Sequence, residues 1–367
     1  MSISSPISGG FETFPGEPPG LSRRDKPAGS LALEYIGLDE WQAFVDSHPH
    51  STIFHHRKWI EVFIDQYGMD LLIPCLKRGS EIQAAIPFLS ARSLWGATTL
   101  KSLPFSDCVR VLSRQPHAAA ELASMLLSDP PPCVSMSLRT DTVLANIPRS
   151  SHWVRHEVSL GHSMEALSKK FKPSIHRNLR RAQSAGLRFA RRSDADAVDE
   201  FYRLHVRTRR KSGVPVQPKR FFELLWKRVL HEGLGYVGLV FQGSEPIAAG
   251  VFLEFNNTVT YKYAASHPNA LADRPNDWLA YNALRLAVEN GYEALDFGIS
   301  SRNQEGLRRF KRNWGADEID VYTLQFVGRD KTPVEESALF KMSSILIRNS
   351  PAIVCRSLGE ILYRFAM

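Results

Sequence analysis

The sequence has little of what marks metal, redox and disulfide-bonded proteins. Its four cysteines, at positions 75, 108, 133 and 355, include no pair at the spacing of metal ligands or of a redox dithiol. They are therefore expected to be reduced and to pack as small apolar side chains. The histidines include no His-Glu-x-x-His pattern, and His55 and His56 are adjacent, which does not suit two ligands on one helix face. The sequence predicts no metal site and no bound cofactor.

Membrane-spanning and secretion signals are also missing. No stretch approaches the roughly twenty consecutive apolar residues that a membrane-spanning helix needs. Residues 1–30, rich in Ser, Gly and Pro, have neither the basic start nor the apolar run of a secretion signal. We therefore predict a disordered tail over residues 1–30 and a cytoplasmic protein.

The last residues of the chain, 331–367, are predicted to form an amphipathic helical segment. Its apolar stretches are interrupted by Pro351, and it carries the cations Lys341, Arg348, Arg356 and Arg364. Such a segment can pack on the body of the protein or lie on the inner face of the cytoplasmic membrane. The two alternatives stay open at the level of sequence.

The chain is long enough for two hydrophobic cores, and it carries an excess of positive charge. A chain of 367 residues exceeds one ordinary core, so we expect an N-terminal domain over residues 31–150 and a C-terminal domain over residues 151–330. The net charge of +8 favours anionic partners, such as RNA, nucleotide diphosphates or the inner membrane leaflet. Charge alone does not choose among them.

Hydrophobic periodicity and turn residues predict alternating helices and strands in both halves. In the first half they predict helices over residues 41–47, 57–67 and 116–128, strands over 70–77, 83–89 and 133–138, and a connector over 146–152. In the second half they predict helices over residues 163–171, 173–183, 196–211, 218–231, 276–290 and 304–313, and strands over 235–242, 246–255, 258–265, 293–297 and 319–326. The fold class is therefore α/β or α+β.

The most informative segment is Leu295-Asp-Phe-Gly298, which is followed closely by the run Gly306-Leu-Arg-Arg-Phe-Lys-Arg-Asn-Trp-Gly315. It predicts a buried strand that ends at an aspartate and a glycine, and then a helix rich in cations. Ligands of open α/β sheets bind at the carboxyl ends of strands, and a helix amino terminus offers N–H groups to anions. Lys311 and Arg308 would add full positive charge there. The alternative is that these cations form only a solvated helix face.

The order of elements in the second half resembles the GNAT-type N-acyltransferase fold, in which two central strands separate and admit an acyl donor. More narrowly, the chain resembles the FemAB-type peptidoglycan aminoacyltransferases and their exopolysaccharide-associated relatives. The residues that carry this resemblance are Ile175-His-Arg-Asn-Leu-Arg-Arg-Ala-Gln-Ser-Ala-Gly186, Phe201-Tyr202, 208–213, Tyr261-Lys-Tyr263, Leu295-Asp-Phe-Gly298, and Gly306 to Lys311 with Trp314-Gly315.

The resemblance implies tandem GNAT-like N-acyltransferase domains, each a mixed, mostly antiparallel sheet flanked by helices. It also implies amide formation. The best-understood relatives move an amino acid from aminoacyl-tRNA to the peptide of a diphosphate-bearing peptidoglycan precursor. Their lysine in a Phe-Lys pair, which matches Lys311, is associated with phosphate binding and amide formation.

Two departures from related proteins bear on the donor. Acetyl-CoA-using members of the wider fold carry a glycine-containing loop whose N–H groups hold pyrophosphate, whereas residues 266–276 contain no glycine. This disfavours acyl-CoA as the donor. The helices predicted between residues 196 and 231 are also too short for the long coiled-coil arm of some tRNA-dependent relatives. Other relatives lack the arm, so aminoacyl-tRNA remains an alternative.

Amide formation needs a neutral amine, an oriented carbonyl group and a positive or hydrogen-bonding partner for the developing oxyanion. The sequence shows no serine or cysteine nucleophile at a recognisable elbow, which favours direct attack. We assign Lys311 to the phosphate or oxyanion, Tyr263 to a hydrogen bond at the strand gap, and Asp296 to the amine. The alternatives are a half-buried sheet tyrosine and an aspartate that only anchors the next loop.

The candidate substrate-binding residues are cationic and aromatic side chains: Arg210, Arg308, Phe310, Tyr202 and Arg177. Arg210 is assigned to a substrate phosphate, with a plain helix-surface cation as its alternative. Arg177 belongs to a basic helix between Lys169 and Arg192 that could face RNA, a membrane or only solvent.

The sequence therefore predicts an N-acyltransferase that joins an activated acyl or aminoacyl group to an amine on a cell-envelope or exopolysaccharide precursor. Its acceptor would be a diphosphate-linked or lipid-linked glycan precursor, and DNA is not an expected partner. The alternative is a catalytically inactive scaffold of the same fold that binds RNA or an anionic surface. Base-stacking aromatics are not concentrated in the basic segment, which counts against the alternative.

Overall fold

The computed structural model describes residues 31–92, 97–328 and Ile347. The predicted tail over residues 1–30, and the predicted helical segment over 331–367 apart from Ile347, lie outside the described residues. The strands are β1 Leu31–Tyr35, β2 Asp70–Leu72, β3 Pro74–Arg78, β4 Glu81–Ala85, β5 Phe88–Arg92, β6 Thr98–Lys101, β7 Leu112–Ser113, β8 Ser135–Thr140, β9 Arg149–Ser159, β10 Arg188–Arg192, β11 Gly235–Gln242, β12 Glu245–Phe255, β13 Thr258–Ser266, β14 Ala294–Ser301 and β15 Asp317–Val327.

The helices cover both sheet faces. They are α1 Leu38–Ser47, α2 Arg57–Tyr67, α3 Pro116–Ser128, α4 Met164–Ser168, α5 Pro173–Ser184, α6 Ala195–Ser212, α7 Lys219–Leu225, α8 Pro275–Glu289 and α9 Glu305–Arg312. A π-helical turn, Trp226–Leu230, continues α7, and a 3₁₀ helix, Pro268–Asp273, precedes α8. Within the described ranges, no helix combines the length and the apolar character needed to cross a bilayer.

The strands form one large sheet and one small one. The large sheet has the order β10-β11-β12-β13-β14-β9-β15-β8-β6-β5-β2, and the small one has the order β1-β3-β4-β7. Neighbours are antiparallel except for the parallel pairs β13 with β14 and β6 with β8. The predicted class, mixed and mostly antiparallel sheets flanked by helices, is confirmed. The large sheet contains strands from both predicted halves, because β15 pairs with β9 on one side and with β8 on the other. The predicted domain boundaries stay a prediction.

Some predicted elements match the structure to the residue, and others were wrong. The helices at 57–67 and 116–128 and the strand at 235–242 are observed with those bounds. The predicted connector over 146–152 is wrong, because β9 begins at Arg149 and pairs with β15. The predicted strand over 70–77 is two strands: β2 pairs with β5 in the large sheet, whereas β3 pairs with β1 and β4 in the small one. Pro74 follows this break, and proline lacks the N–H that a continuous ladder would need.

Local signals explain where the helices end. Asp194 caps α6 by accepting a hydrogen bond from the Ala197 N–H, and Gly213 ends the helix with a φ of 69°. Gly68 ends α2 in the same left-handed conformation, with a φ of 64°. The helix predicted over residues 276–290 begins one residue earlier, at Pro275, after Arg274 with a φ of 61°. Proline suits the first helical position because its fixed φ is helical and the N–H it lacks would have no partner.

Two apolar clusters cover opposite faces of the second half of the large sheet. One packs α6 and α7 on the sheet and continues into the first half through Trp59 and Phe63. The other packs α5 and α8 on the sheet and includes Trp314. The strand β13 lies between these layers. Its Tyr261 stacks on Phe252 in the second cluster, with ring centroids 4.4 Å apart.

Candidate active site

The centre of the site is a gap between β13 and β14. The two parallel strands pair only from Thr258 opposite Ala294 to Thr260 opposite Asp296. Beyond that point β13 continues to Ser266 and β14 continues to Ser301, with no further pairing between them. In the separated part, the backbone groups of the two strands do not bond to each other at the carboxyl end of the sheet.

Both strands carry a bulge at the start of this gap. In β13, Tyr261 lies opposite Phe252 and Tyr263 lies opposite Val251, so Lys262 is an extra residue. In β14, one extra residue lies between Asp296 and Ile299. A bulge reorients the side chains around it. Lys262 is thereby placed between a tyrosine of one apolar cluster and a tyrosine of the other.

Gly298 is the residue at the β14 bulge that tolerates no side chain. Its φ is 69°, which L residues rarely adopt, and an added Cβ would lie 2.8 Å from Asp107 Oδ2. Asp107 is buried and comes from the chain between β6 and β7, in the first half of the sequence. The glycine therefore allows a carboxylate from one half of the chain to approach the backbone of the other.

Lys311 reaches this bulge from the last turn of α9. The side chain is buried, and its Nζ donates to the carbonyl oxygens of Gly298, at 2.9 Å, and Ile299, at 3.0 Å. An ammonium has three N–H donors, so these two bonds leave one for another acceptor. Burial lowers the pKa of Lys311 to about 8, although the carboxylates of Asp107 and Asp296 act to raise it. A fraction of Lys311 is therefore neutral near physiological pH.

Asp296 is the last residue of β14 that pairs with β13. It accepts a hydrogen bond from the Gly298 N–H at 2.7 Å, which is the loop-anchoring contact, and it lies 3.6 Å from the Arg155 guanidinium. Burial raises the pKa of Asp296 to about 6, and the Asp107 carboxylate adds to the rise, whereas Arg155 opposes it. A carboxyl group with such a pKa can exchange a proton at neutral pH.

Arg155 holds several carboxylates in place beneath the gap. It donates to Asp141 at 3.0 Å and to Glu157 at 2.6 Å, in addition to facing Asp296. Asp141 is also bound by Arg110 through two hydrogen bonds. These pairs keep the buried charges around Asp296 compensated, because an unpaired buried charge is costly.

Sequence reasoning missed Asp107, Lys262 and Arg155. Lys262 forms an ion pair with Asp107, with Nζ 2.8 Å from Oδ1, although the two residues are 155 positions apart. The one sequence signal for Lys262 was a lysine between two tyrosines in a strand with no other charged residue. Asp107 follows Leu103 and Phe105, which both have positive φ angles, of 50° and 60°. Such conformations in bulky residues are recognised only in a structure.

Two other cations of α9, Arg308 and Arg312, bind a different partner. Arg308 donates to both oxygens of Glu318, at 2.9 and 3.0 Å, and Arg312 contacts the same carboxylate at 3.2 Å. Glu318 also lies 2.9 Å from Nε2 of the fully buried His156. Burial and the nearby Lys311 ammonium lower the pKa of His156 to about 4, so it is neutral. The structure does not bring Arg308 to the gap.

The aromatic candidate residues pack in the layers around the gap and do not line one common pocket. Tyr263 lies in an aromatic cluster with Phe222, at a centroid distance of 5.4 Å. The buried Tyr202 donates from its hydroxyl group to the Gln217 carbonyl at 3.3 Å. Phe310 packs edge-on against Phe297 of the bulge, at a centroid distance of 6.4 Å.

The two remaining candidates are exposed on helix surfaces. Arg210 lies near the end of α6, where the Thr208 hydroxyl donates to the Ser266 carbonyl at 3.1 Å. This places the end of α6 beside the outer end of β13. Arg177 lies on α5, which packs against α8 on the other face of the sheet. The structure does not bring Arg177 to the gap.

Two open surface grooves are seen in the described ranges, and neither is lined by the charged residues of the gap. The larger, of about 520 Å³, lies beside the π-helical turn, and the smaller, of about 350 Å³, lies between α5 and α8. The strand separation and the buried charges coincide at the gap.

Comparisons with known proteins bear on the fold and on the class of the second domain. Residues 169–312 match the family model described as an acetyltransferase (GNAT) domain. No curated protein matches the chain in sequence. The solved structure of FemX is similar, with a TM-score of 0.64 and 14% identity, over 81% of this chain and 97% of that chain.

Two further solved structures share the fold. The C-terminal domain of a putative lysylphosphatidylglycerol synthetase from Agrobacterium fabrum has a TM-score of 0.53 and 11% identity, over 84% of this chain and 95% of its own. A conserved protein of unknown function from Bacteroides thetaiotaomicron has a TM-score of 0.51 and 8% identity, over 81% of this chain and 99% of its own.

At these identities the structural likeness shows the fold, and the domain match adds the acyltransferase class. The predicted GNAT fold and the predicted resemblance to FemAB-type proteins are thereby confirmed. The chain has the fold of FemX, and its residues 169–312 match the acetyltransferase (GNAT) domain model.

Proposed function

We propose that this protein is an N-acyltransferase that forms an amide bond between an activated acyl or aminoacyl group and an amine on a cell-envelope or exopolysaccharide precursor. The observation that carries the proposal is the buried Lys311 ammonium at the bulge where β13 and β14 separate. A gap of this kind can hold a planar carbonyl group between two strands, next to a positive charge.

In the proposed reaction the amine nitrogen attacks the donor carbonyl carbon directly. A carbon–nitrogen bond forms, the bond to the leaving oxygen or sulfur breaks, and one proton passes from the nitrogen to the leaving group. Asp296, with its pKa of about 6, is suited to accept that proton and return it. Lys311 stabilises the negative charge that develops on the carbonyl oxygen or on a substrate phosphate.

The remaining candidate residues take supporting roles in this proposal. Tyr263 borders the gap on β13, and Arg210 lies at its outer end, where it can pair with a substrate phosphate. Tyr202 and Phe310 shape the walls of the site through packing. Arg308 supports Lys311 by fastening α9 to β15, and Arg177 is left to an outer binding surface.

We propose that the donor is an aminoacyl-tRNA or another activated acyl carrier, in preference to acyl-CoA. Residues 266–276 contain no glycine, and both the 3₁₀ helix and α8 begin with a proline, which has no N–H to offer a pyrophosphate. One protein of similar fold is named as a putative lysylphosphatidylglycerol synthetase, which supports an aminoacyl donor and a lipid-linked acceptor for this chain.

The test is mass spectrometry of envelope glycans and their precursors from a strain that lacks the protein. We expect the loss of one acyl or aminoacyl mass, its return with the wild-type gene, and no return with Lys311→Met. Arg312→Met, one position along the same helix, is the matched control and should restore the mass. An unchanged set of masses in the deletion strain, or full restoration by a folded Lys311→Met protein, would reject the proposal.

The non-catalytic alternative is supported by α5. This helix has the sequence PSIHRNLRRAQS, without an acidic residue, and Arg177 and Arg180 are exposed on it. An RNA-binding scaffold would be retained on immobilised RNA with a steep salt dependence and would transfer no acyl group. Salt-sensitive RNA binding that survives Lys311→Met, together with unchanged envelope masses, would favour this alternative.

A further inference from the structure

Lys262 is a buried cation that the proposed reaction does not yet use. Its side chain is only 6% exposed, and its Nζ lies 2.8 Å from Asp107 Oδ1. Three aromatic rings surround the ammonium, those of Phe54, Trp59 and Tyr263, with centroids 5.2, 5.9 and 5.4 Å from Nζ. Aromatic faces and one carboxylate together compensate a desolvated ammonium. This enclosure fixes Lys262 in one place.

The Asp107 carboxylate links Lys262 to the centre of the site. One carboxylate oxygen is bound by Lys262, and the other lies against Gly298, whose carbonyl group accepts from Lys311. The same carboxylate acts electrostatically on Lys311 and on Asp296. Asp107 therefore lies between two ammonium groups and is held to only one of them by an ion pair.

We infer that Lys262 is a positioning residue of the acyl-transfer site, which keeps the Asp107 carboxylate on the β13 side of the gap and so leaves one N–H of Lys311 for the substrate. This inference rests on the proposed function. Without the Lys262 charge, Lys311 would be the remaining lysine that interacts with the Asp107 carboxylate. A direct Asp107–Lys311 ion pair would then occupy the donor that the substrate needs.

The charges around Lys311 give this inference a direct readout. The groups that face it are Asp107 from the first half, Lys262 on β13, Asp296 on β14 and His156 on β9. Lys262 lowers the pKa of Lys311, whereas Asp107 and Asp296 raise it. Removal of Lys262 should therefore raise the pKa of Lys311, and removal of Asp107 should lower it.

The experiment is an NMR titration of the full-length protein labelled with ¹³C at the lysine side chains. The Lys311 signal is assigned by its absence from the Lys311→Met spectrum. In the wild-type protein it should titrate near pH 8. In Lys262→Met it should titrate at least one pH unit higher, and in Asp107→Asn it should titrate lower. Lys262→Arg, which keeps the charge, should remain close to the wild type.

The matched control is Lys219→Met, which removes a lysine from the exposed ion pair with Asp199 and should not move the Lys311 titration. An unchanged Lys311 titration in Lys262→Met would overturn the inference. If Lys262→Met does not fold, an unchanged or raised titration in Asp107→Asn would overturn it. Because this readout needs no substrate, it separates the inference from the proposed function, whose failure would appear only in the envelope masses.

Discussion

The two sides of α9 use the same kind of side chain for different purposes. On the inner side, the Lys311 ammonium is buried and bonded to two backbone carbonyl groups of β14. On the outer side, Arg308 and Arg312 share the Glu318 carboxylate near solvent. The inner cation has a lowered pKa, whereas hydrogen bonds to the Glu318 carboxylate raise the pKa of Arg308. A run of cations on one short helix thus separates into a candidate reaction centre and a structural clamp.

The largest expected effect is a difference in transfer activity between variants on the two sides of α9. Lys311→Met removes the buried charge while keeping the length of the side chain, and we expect transfer to fall by at least about 100-fold, because one group that stabilises developing charge contributes about this much. Arg312→Met should change transfer by less than about threefold. Rates with the envelope precursor that the mass spectra identify would measure this. Equal losses in the two variants would abolish the distinction.

The second prediction concerns the glycine that lets Asp107 reach the bulge. Gly298→Ala should destabilise the protein by about 1–3 kcal/mol, because the residue has a positive φ and the added Cβ meets the Asp107 carboxylate. Gly306→Ala, in α9, meets nothing within 4 Å and should be neutral or stabilising by up to about 1 kcal/mol. Urea unfolding followed by circular dichroism measures both, and a neutral Gly298→Ala would show that the close approach is absent in solution.

The third prediction is a pH dependence of stability that belongs to the inner side. The folded state lowers the pKa of Lys311 from 10.5 to about 8, so it disfavours the charged form. The resulting destabilisation is complete below pH 8 and disappears as the pH rises to 10.5. Relative to Lys311→Met, the wild-type protein should therefore gain up to about 3 kcal/mol of unfolding free energy between pH 8 and 10.5. A constant difference between the two proteins would contradict the burial of a charged Lys311.

The smallest effect is expected on the outer side. Arg308→Gln removes a bidentate pair whose arginine side chain is 18% exposed, and it should cost about 1 kcal/mol or less of unfolding free energy. Added salt should reduce that cost, because pairs near solvent are screened. Thermal unfolding at low and high salt measures it. A large, salt-independent loss would mean that Arg308 also stabilises the contact between Glu318 and the buried His156.

The parts of the molecule that local pattern governs were predictable from sequence. The 3.6-residue periodicity and terminal glycine of α2, and the apolar run of β11, gave the observed bounds. The buried strand before Gly298 and the helix bearing Lys311 were also predicted. These features depend on residues close together in the chain.

The parts that depend on distant pairing were not predictable. Asp107 meets Lys262 across 155 positions, and no local pattern links the two. The β13 bulge is visible only in its pairing with β12, because Tyr261-Lys-Tyr263 also fits a regular strand. The separation of Arg308 from Lys311 depends on Glu318, which the cation-rich helix does not reveal. Conversely, the loop-anchoring contact of Asp296 was anticipated as an alternative and coexists with its place in the charged cluster.

The continuous ladder through β14, β9, β15 and β8 limits how this protein can move. Backbone hydrogen bonds tie strands of the two sequence halves side by side, so a hinge that opens one half from the other would break a row of these bonds. We therefore expect substrates to enter through smaller displacements at the rim of the gap. The two halves of the sheet are expected to keep their relative positions when a substrate binds.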